Sequence, residues 1–94
     1  MSGLAMAQAP EKGAAAFKDN CVLCHGDNGA GSDMGKVLKV KDLRTKEVQD
    51  ESDENLAKIV REGKNNMPPF KSRLTDDQVT ELIGYIRHLA APAP

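Results

Sequence analysis

The chain reads as an all-α domain of three to five short helices. Three observations predict it. An alanine-rich stretch follows Pro10, a segment capped by Ser52 repeats apolar residues at Leu56, Ile59 and Val60, and a segment capped by Thr75 carries Val79, Leu82, Ile83, Ile86 and Leu89 on one face.

The first helix opens at Pro10 and Glu11, since proline suits the first turn and an acid there complements the helix dipole. Alanine carries it onward through Phe17 and Lys18. Gly13 and Phe17 lie four apart and share a face. A glycine inside a helix costs stability, so it marks either a close approach by another backbone or a frayed end. Residues 26–33 hold three glycines with Asp, Asn and Ser and form a turn-rich loop. It is not a phosphate-binding loop, because no Gly-Lys-Ser/Thr follows it. Ser52, with Asp53 and Glu54 behind it, starts a helix that Gly63 closes as C-cap. Met67-Pro68-Pro69 stops any helix and holds an extended, stiff loop. Thr75 and Gln78 form a capping box for the last helix, which has Tyr85 at the edge of its buried face and ends before Pro92. His88 falls on the polar side of that helix with Glu81 and Gly84 and reads as a surface histidine.

The chemistry concentrates in Cys21-Val22-Leu23-Cys24-His25. Two cysteines two residues apart with a histidine directly after them form the pattern of c-type haem attachment. Each thiol adds to one vinyl group to give a thioether, and the histidine supplies the proximal iron ligand. Two other readings compete. A dithiol redox site requires a strand before the first cysteine, where this chain has a helical segment. A zinc site needs a second pair of ligands, and the only other histidine, His88, stands alone. Given a haem, His25 pairs most naturally with a methionine. Met67, on its stiff loop, is the leading candidate, Met34 on a glycine-rich loop is its rival, and an open distal site is the third option. Asn65 or Asn66 is placed to hydrogen-bond the Met67 sulfur or a haem propionate, or simply to turn the chain.

Composition agrees with a cofactor-centred core. Leu, Ile, Val and Phe together number 19 of 94 residues, near the share associated with disorder, and there is no Trp. A haem supplies the missing apolar volume, so the chain without it is expected to be largely unfolded. No run is long and apolar enough to span a membrane. Ala5-Met6-Ala7 resembles a signal-peptidase site, so residues 1–7 read as a leader remnant or expression scar and residues 8–94 as a single domain. Haem attachment of this kind implies export, to the periplasm or an equivalent compartment. Residues 36–46 hold five bases against one acid, and residues 47–54 hold five acids and no base. This is either a solvated surface or a charge-separated one that steers a redox partner. A net charge of -1 and only three aromatics argue against nucleic-acid binding.

Taken together, the haem-attachment motif, the Met67-Pro68 loop and the terminal helices resemble the class I monohaem cytochromes c, in their short bacterial and photosynthetic forms, over residues 10–91. The resemblance implies a cytochrome c fold in which the N- and C-terminal helices cross, here through Gly13, Phe17, Leu82 and Tyr85. It implies one covalent haem c held by Cys21 and Cys24, iron ligation by His25 and Met67, and Leu43, Ile59 and Phe70 as haem-pocket residues. It also implies a monomeric electron carrier that serves redox partner proteins and is not an enzyme. A haem enzyme or gas sensor would need a labile distal ligand and an acid–base group near Met67, and none is evident. A carrier docked permanently on an oxidoreductase would need a large spare apolar stripe. The chain departs from many relatives at Lys41-Asp42-Leu43, where they have a proline just before the Asp-Leu pair.

Overall fold

The architecture is set by two helices from opposite ends of the chain. A computed structural model describes residues 2–90, with side chains from residue 11 onward. Its helices are α1 (Ser2–Asn20), α2 (Val22–His25), α3 (Asp33–Val37), α4 (Lys46–Gln49), α5 (Asp53–Glu62) and α6 (Asp76–Leu89). Among the described residues there is thus one more helix than the expected three to five, because α2, α3 and α4 are single turns of four or five residues.

α1 packs on α6, α5 also leans on α6, and α2 sits between α1 and α3. The α1–α6 approach is backbone against backbone. A Cβ at Gly13 would run into the Glu81 carbonyl oxygen and lie 2.7 Å from Tyr85 Cβ. One turn later the Phe17 and Tyr85 rings stand 5.2 Å apart, and Phe17 and Leu82 are almost wholly buried. All four residues expected at the crossing are therefore at the contact.

The helix ends follow the local signals. Ser52 Oγ accepts from Asn55 N–H, and Gly63 closes α5 at φ 80°. Thr75 and Gln78 form both bonds of the capping box. His88 is exposed beside Tyr85. The start of α1 differs from expectation. The helix does not open at Pro10 but runs back to Ser2, because Leu, Ala, Met and Gln are strong helix formers and extend it past the proline. Met1 and Pro92 lie outside the described residues.

Around Asp42 the chain fixes its path by hydrogen bonds. Asp42 Oδ1 accepts from Arg44 N–H at 3.0 Å, and the Asp42 carbonyl accepts from Thr45 Oγ1 at 2.9 Å. The side chain thus mimics a backbone turn. The guanidinium of Arg44 also grips the Asp42 carboxylate at 2.9 Å. The neighbouring charges are tied in the same manner, Lys41 to Glu47 at 2.8 Å and Lys46 to Asp50 at 2.6 Å. The basic and acidic segments therefore neutralise one another in part, and do not form two separate fields.

Two measurements check these features. Gly13→Ala should destabilise the protein by at least the ~1–3 kcal/mol typical of overpacking, seen as a lower midpoint in chemical unfolding. Gly84→Ala, with nothing within 4 Å of its added Cβ, should raise stability by up to about 1 kcal/mol through helix propensity. At Asp42, hydrogen bonds from the Arg44 side chain and N–H hold the carboxyl at about 2, below the usual 3.8. The folded value lies below the unfolded one, so this group's small, solvent-screened contribution to stability is present above about pH 4. It is lost as pH falls toward about 2. Carboxyl titration followed by NMR should show this midpoint, and Arg44→Ala should return it toward the ordinary range.

Candidate haem site

The attachment motif folds into one helical turn. Cys21 ends α1, its N–H donating to the Phe17 carbonyl at 2.8 Å. The backbone kinks there (φ −120°, ψ −28°), and α2 begins. His25 N–H returns to the Cys21 carbonyl at 2.8 Å. Residues three and four apart on a helix share a face. Cys21, Cys24 and His25 therefore turn the same way, while Leu23 points outward and is exposed.

That face borders an apolar cavity with about 430 Å³ of empty space, solvent at its mouth included. Phe17, Cys21 and His25 form one wall and Leu82 and Ile86 of α6 the back. Leu56, Ile59 and Val60 of α5 close the opposite side, with Leu43, Val48 and Met67 completing the lining. The lining is unusually poor in polar groups.

Met67 reaches this cavity from a tightly made loop. Lys64 and Met67 exchange both backbone hydrogen bonds, at 3.1 and 2.9 Å, around Asn65 in the left-handed region (φ 54°). Pro68 and Pro69 then leave in irregular backbone. The side chain of Asn66 does not turn toward Met67. It donates to the Leu38 carbonyl at 3.1 Å and so ties the Met67 loop to the end of α3.

The residues singled out from sequence divide clearly. Cys21, His25, Met67, Leu43 and Ile59 line one cavity. Cys24 is half-buried on the same turn, outside the lining. Phe70 is buried in the adjoining core, joined to α5 by its N–H to the Val60 carbonyl at 3.0 Å, and is not among the lining residues. The Arg73 guanidinium lies over its ring, 5.8 Å from the centroid. Met34 is 51% exposed on α3 and takes no part in the lining.

The donor set fits a haem. His25 Nδ1 is buried without a hydrogen-bond partner among the described residues. Burial also lowers the pKa of the imidazole, which leaves it neutral with a lone pair available to a metal. Burial, with a smaller push from Cys24, raises the Cys21 thiol to about 12. It is therefore a protonated, uncharged thiol at neutral pH, as suits an apolar cavity. The zinc alternative fails, because no group of three or more His, Cys, Asp or Glu among the described residues could hold an ion. The dithiol alternative fails too, because a helix and not a strand leads into Cys21.

Sequence reasoning missed the hydrogen-bonded clasp that carries part of the cavity lining. Arg87 on α6 donates to the Gln49 carbonyl at 2.9 Å, the Glu51 carbonyl at 2.6 Å and Asp53 Oδ1 at 2.8 Å. Gln49 Nε2 in turn donates to the Leu43 carbonyl at 2.7 Å and the Ile86 carbonyl at 3.1 Å. This clasp holds the 43–53 segment against α6 and keeps Leu43 and Val48 facing the cavity. Its one sequence signal was a Gln and an Arg bordering apolar periodic positions, which does not reveal partners more than thirty residues away.

A helical protein whose single turn carries two thiols and an imidazole, with one of the thiols, the imidazole and a thioether lining one apolar cavity, is built to hold a c-type haem. The comparisons agree. The family model described as cytochrome C oxidase, cbb3-type, subunit III matches residues 8–86. Cytochrome c6 of Parathermosynechococcus lividus is 35% identical over 79 residues, spanning 84% of this chain and 88% of that protein. Cytochrome c6 of Synechococcus elongatus matches to the same extent, 35% over 79 residues, 84% and 88%. The solved KustC0563 c-type cytochrome superposes with a TM-score of 0.79 at 31% identity, covering 84% of this chain and 98% of that one. The chain belongs to the class I monohaem cytochrome c family. Its cofactor is one covalently bound haem c, and its work is the transfer of electrons.

A chain that cannot attach the cofactor, with Cys21→Ala and Cys24→Ala together, should lose most of its helical circular dichroism at 25 °C. Without the haem, a core of 19 large apolar residues lacks the apolar partner that completes it.

Proposed function

We propose that this protein is an exported, freely diffusing carrier of single electrons and not an enzyme. In this reading residues 8–94 form one monomeric domain. Cys21 and Cys24 hold the haem through thioethers, His25 is the proximal iron ligand, and Met67 is the distal one. Leu43 and Ile59 face the cofactor. The observation that carries this reading is that His25 and Met67 line the same apolar cavity as Cys21.

When bound, the haem supplies a one-electron ferric/ferrous couple. Everything else is the work of the chain. The apolar walls exclude water, which keeps the environment constant and disfavours the more highly charged state. The Lys64–Met67 hydrogen-bond pair presents the thioether in a fixed place, so little entropy is lost when it ligates. Apart from His25 and the Cys21 thiol, no lining side chain can accept or give a proton, so peroxide or gas chemistry lacks its distal acid–base group. No helix among the described residues is long and apolar enough to cross a membrane, in keeping with a carrier that works in solution. Haem attachment of this type takes place outside the cytoplasm, which supports the periplasm or an equivalent compartment.

Near-infrared spectra of the ferric protein test the ligand assignment. Met67→Ala should abolish the methionine–iron charge-transfer band, and Met34→Ala should retain it; the reverse result would transfer the role to Met34. Carbon monoxide added to the reduced wild-type protein at neutral pH should bind slowly or not at all. Prompt binding would sink the carrier reading in favour of an open iron site.

A further inference from the structure

Residues 41–51 carry part of the cavity lining on very little regular structure. Their one helix, α4, is a single turn of four residues. Their ion pairs, Lys41 with Glu47, Arg44 with Asp42 and Lys46 with Asp50, lie within the segment, so they shape it without attaching it to anything else. Leu43 and Val48 nevertheless line the cavity, and Val48 is buried.

Two side chains attach this wall to α6. Gln49 spends both hydrogens of its amide, one on the Leu43 carbonyl and one on the Ile86 carbonyl. Ile86 lies in the last turn of α6, where carbonyls lack helical partners. The N–H of Leu43 donates to the Gly29 carbonyl at 2.9 Å, so both backbone polar groups of Leu43 are pinned. Arg87 directs its guanidinium at the Gln49 and Glu51 carbonyls, Gln49 Oε1 and the Asp53 carboxylate. Asp53 is 76% exposed, so the ion pair by itself adds little. What singles out arginine is the spread of acceptors, which a rigid five-donor fork matches and the compact ammonium of lysine does not.

We propose that Arg87 and Gln49 are positioning residues for electron transfer: they latch Leu43 and Val48 shut as a dry wall of the haem cavity, and so set the reduction potential. The proposal rests on the electron-carrier reading above and deepens it. The ferric state carries one more positive charge than the ferrous state, so water near the haem favours the ferric form. A latched apolar wall excludes that water and raises the potential. Neither Arg87 nor Gln49 lines the cavity, so each acts through the residues it holds.

The test uses the holoprotein, with spectroelectrochemical titration and amide hydrogen exchange as readouts. Gln49→Met changes no charge and removes both amide bonds. Arg87→Met removes charge and fork together, whereas Arg87→Lys keeps the charge and loses the fork. In Gln49→Met and Arg87→Met the amides of Leu43, Gln49 and Asp50 should exchange about tenfold faster or more, as expected for loss of buried or charged hydrogen bonds. The ferric/ferrous equilibrium should move toward ferric by about threefold to tenfold, tenfold being about 59 mV for one electron. Arg87→Lys should fall between wild type and Arg87→Met in both readouts. Thr75→Ala, which removes a cap at the other end of α6, should lower the chemical-unfolding midpoint and leave the potential and these amides unchanged. An unchanged potential or unchanged wall exchange in Gln49→Met would overturn the proposal. So would an equal fall of potential in Thr75→Ala, which would make it a matter of stability alone. A potential that falls only in Arg87→Met, stays at the wild-type value in Arg87→Lys and recovers at high salt would overturn it in favour of a simple charge effect. Loss of the methionine–iron band in Gln49→Met would overturn it too, because the potential would then follow the ligand and not the wall. Absence of that band from the wild-type protein defeats the carrier reading itself.

Discussion

The backbone contact between α1 and α6 is the constraint on which the rest of the structure depends. Glycine at position 13 lets α1 descend until its backbone touches the Glu81 carbonyl. At that separation Phe17 and Leu82 are driven out of water together, and Tyr85 covers their edge. The same packing sets where α1 ends, and so where the Cys21–His25 turn begins. Leu82 and Ile86 are at once members of this contact and the rear wall of the haem cavity. Holding the helices and walling the cofactor are thus one piece of packing.

A small chain with 19 large apolar residues cannot close a dry core on its own terms. Here the residues are arranged as a shell. Val48, Leu56, Val60, Leu82 and Ile86 are buried and yet border empty space. The polar economy is just as strict. No polar or charged residue is buried among those described, and the single orphaned buried polar atom is His25 Nδ1. Burial makes the imidazole neutral and the Cys21 thiol protonated, so both present uncharged groups to an apolar cavity.

What sequence could reveal was local. Ser52, Gly63 and the Thr75–Gln78 box act within a few residues of one another, and a Cys-x-x-Cys-His turn is complete within five. The four crossing residues were legible through resemblance, and geometry then supplied the reason for the glycine. Other features lay beyond reach because they join distant segments. The Arg87–Gln49 clasp spans more than thirty positions, and Asn66 reaches Leu38 across a loop whose course periodicity does not describe. The two charge runs left a solvated and a charge-separated surface both open, because sequence shows the order of charges and not their pairing. Phe70, expected at the pocket from family position, is a buried core residue with Arg73 over its ring and is not among the residues that line the cavity.

The placement of the α1–α6 contact also bears on how the chain finds its structure. Gly13 and Glu81 are separated by most of the sequence, so joining them closes a very long loop and defers its reward until that entropy has been spent. The attachment turn, by contrast, is made of neighbours and can form while the two ends are still apart. A cofactor covalently fixed at residues 21–25 is therefore present before the final closure. It offers α6 a surface to collapse on, and so converts a slow search between two termini into docking on a partner already in place.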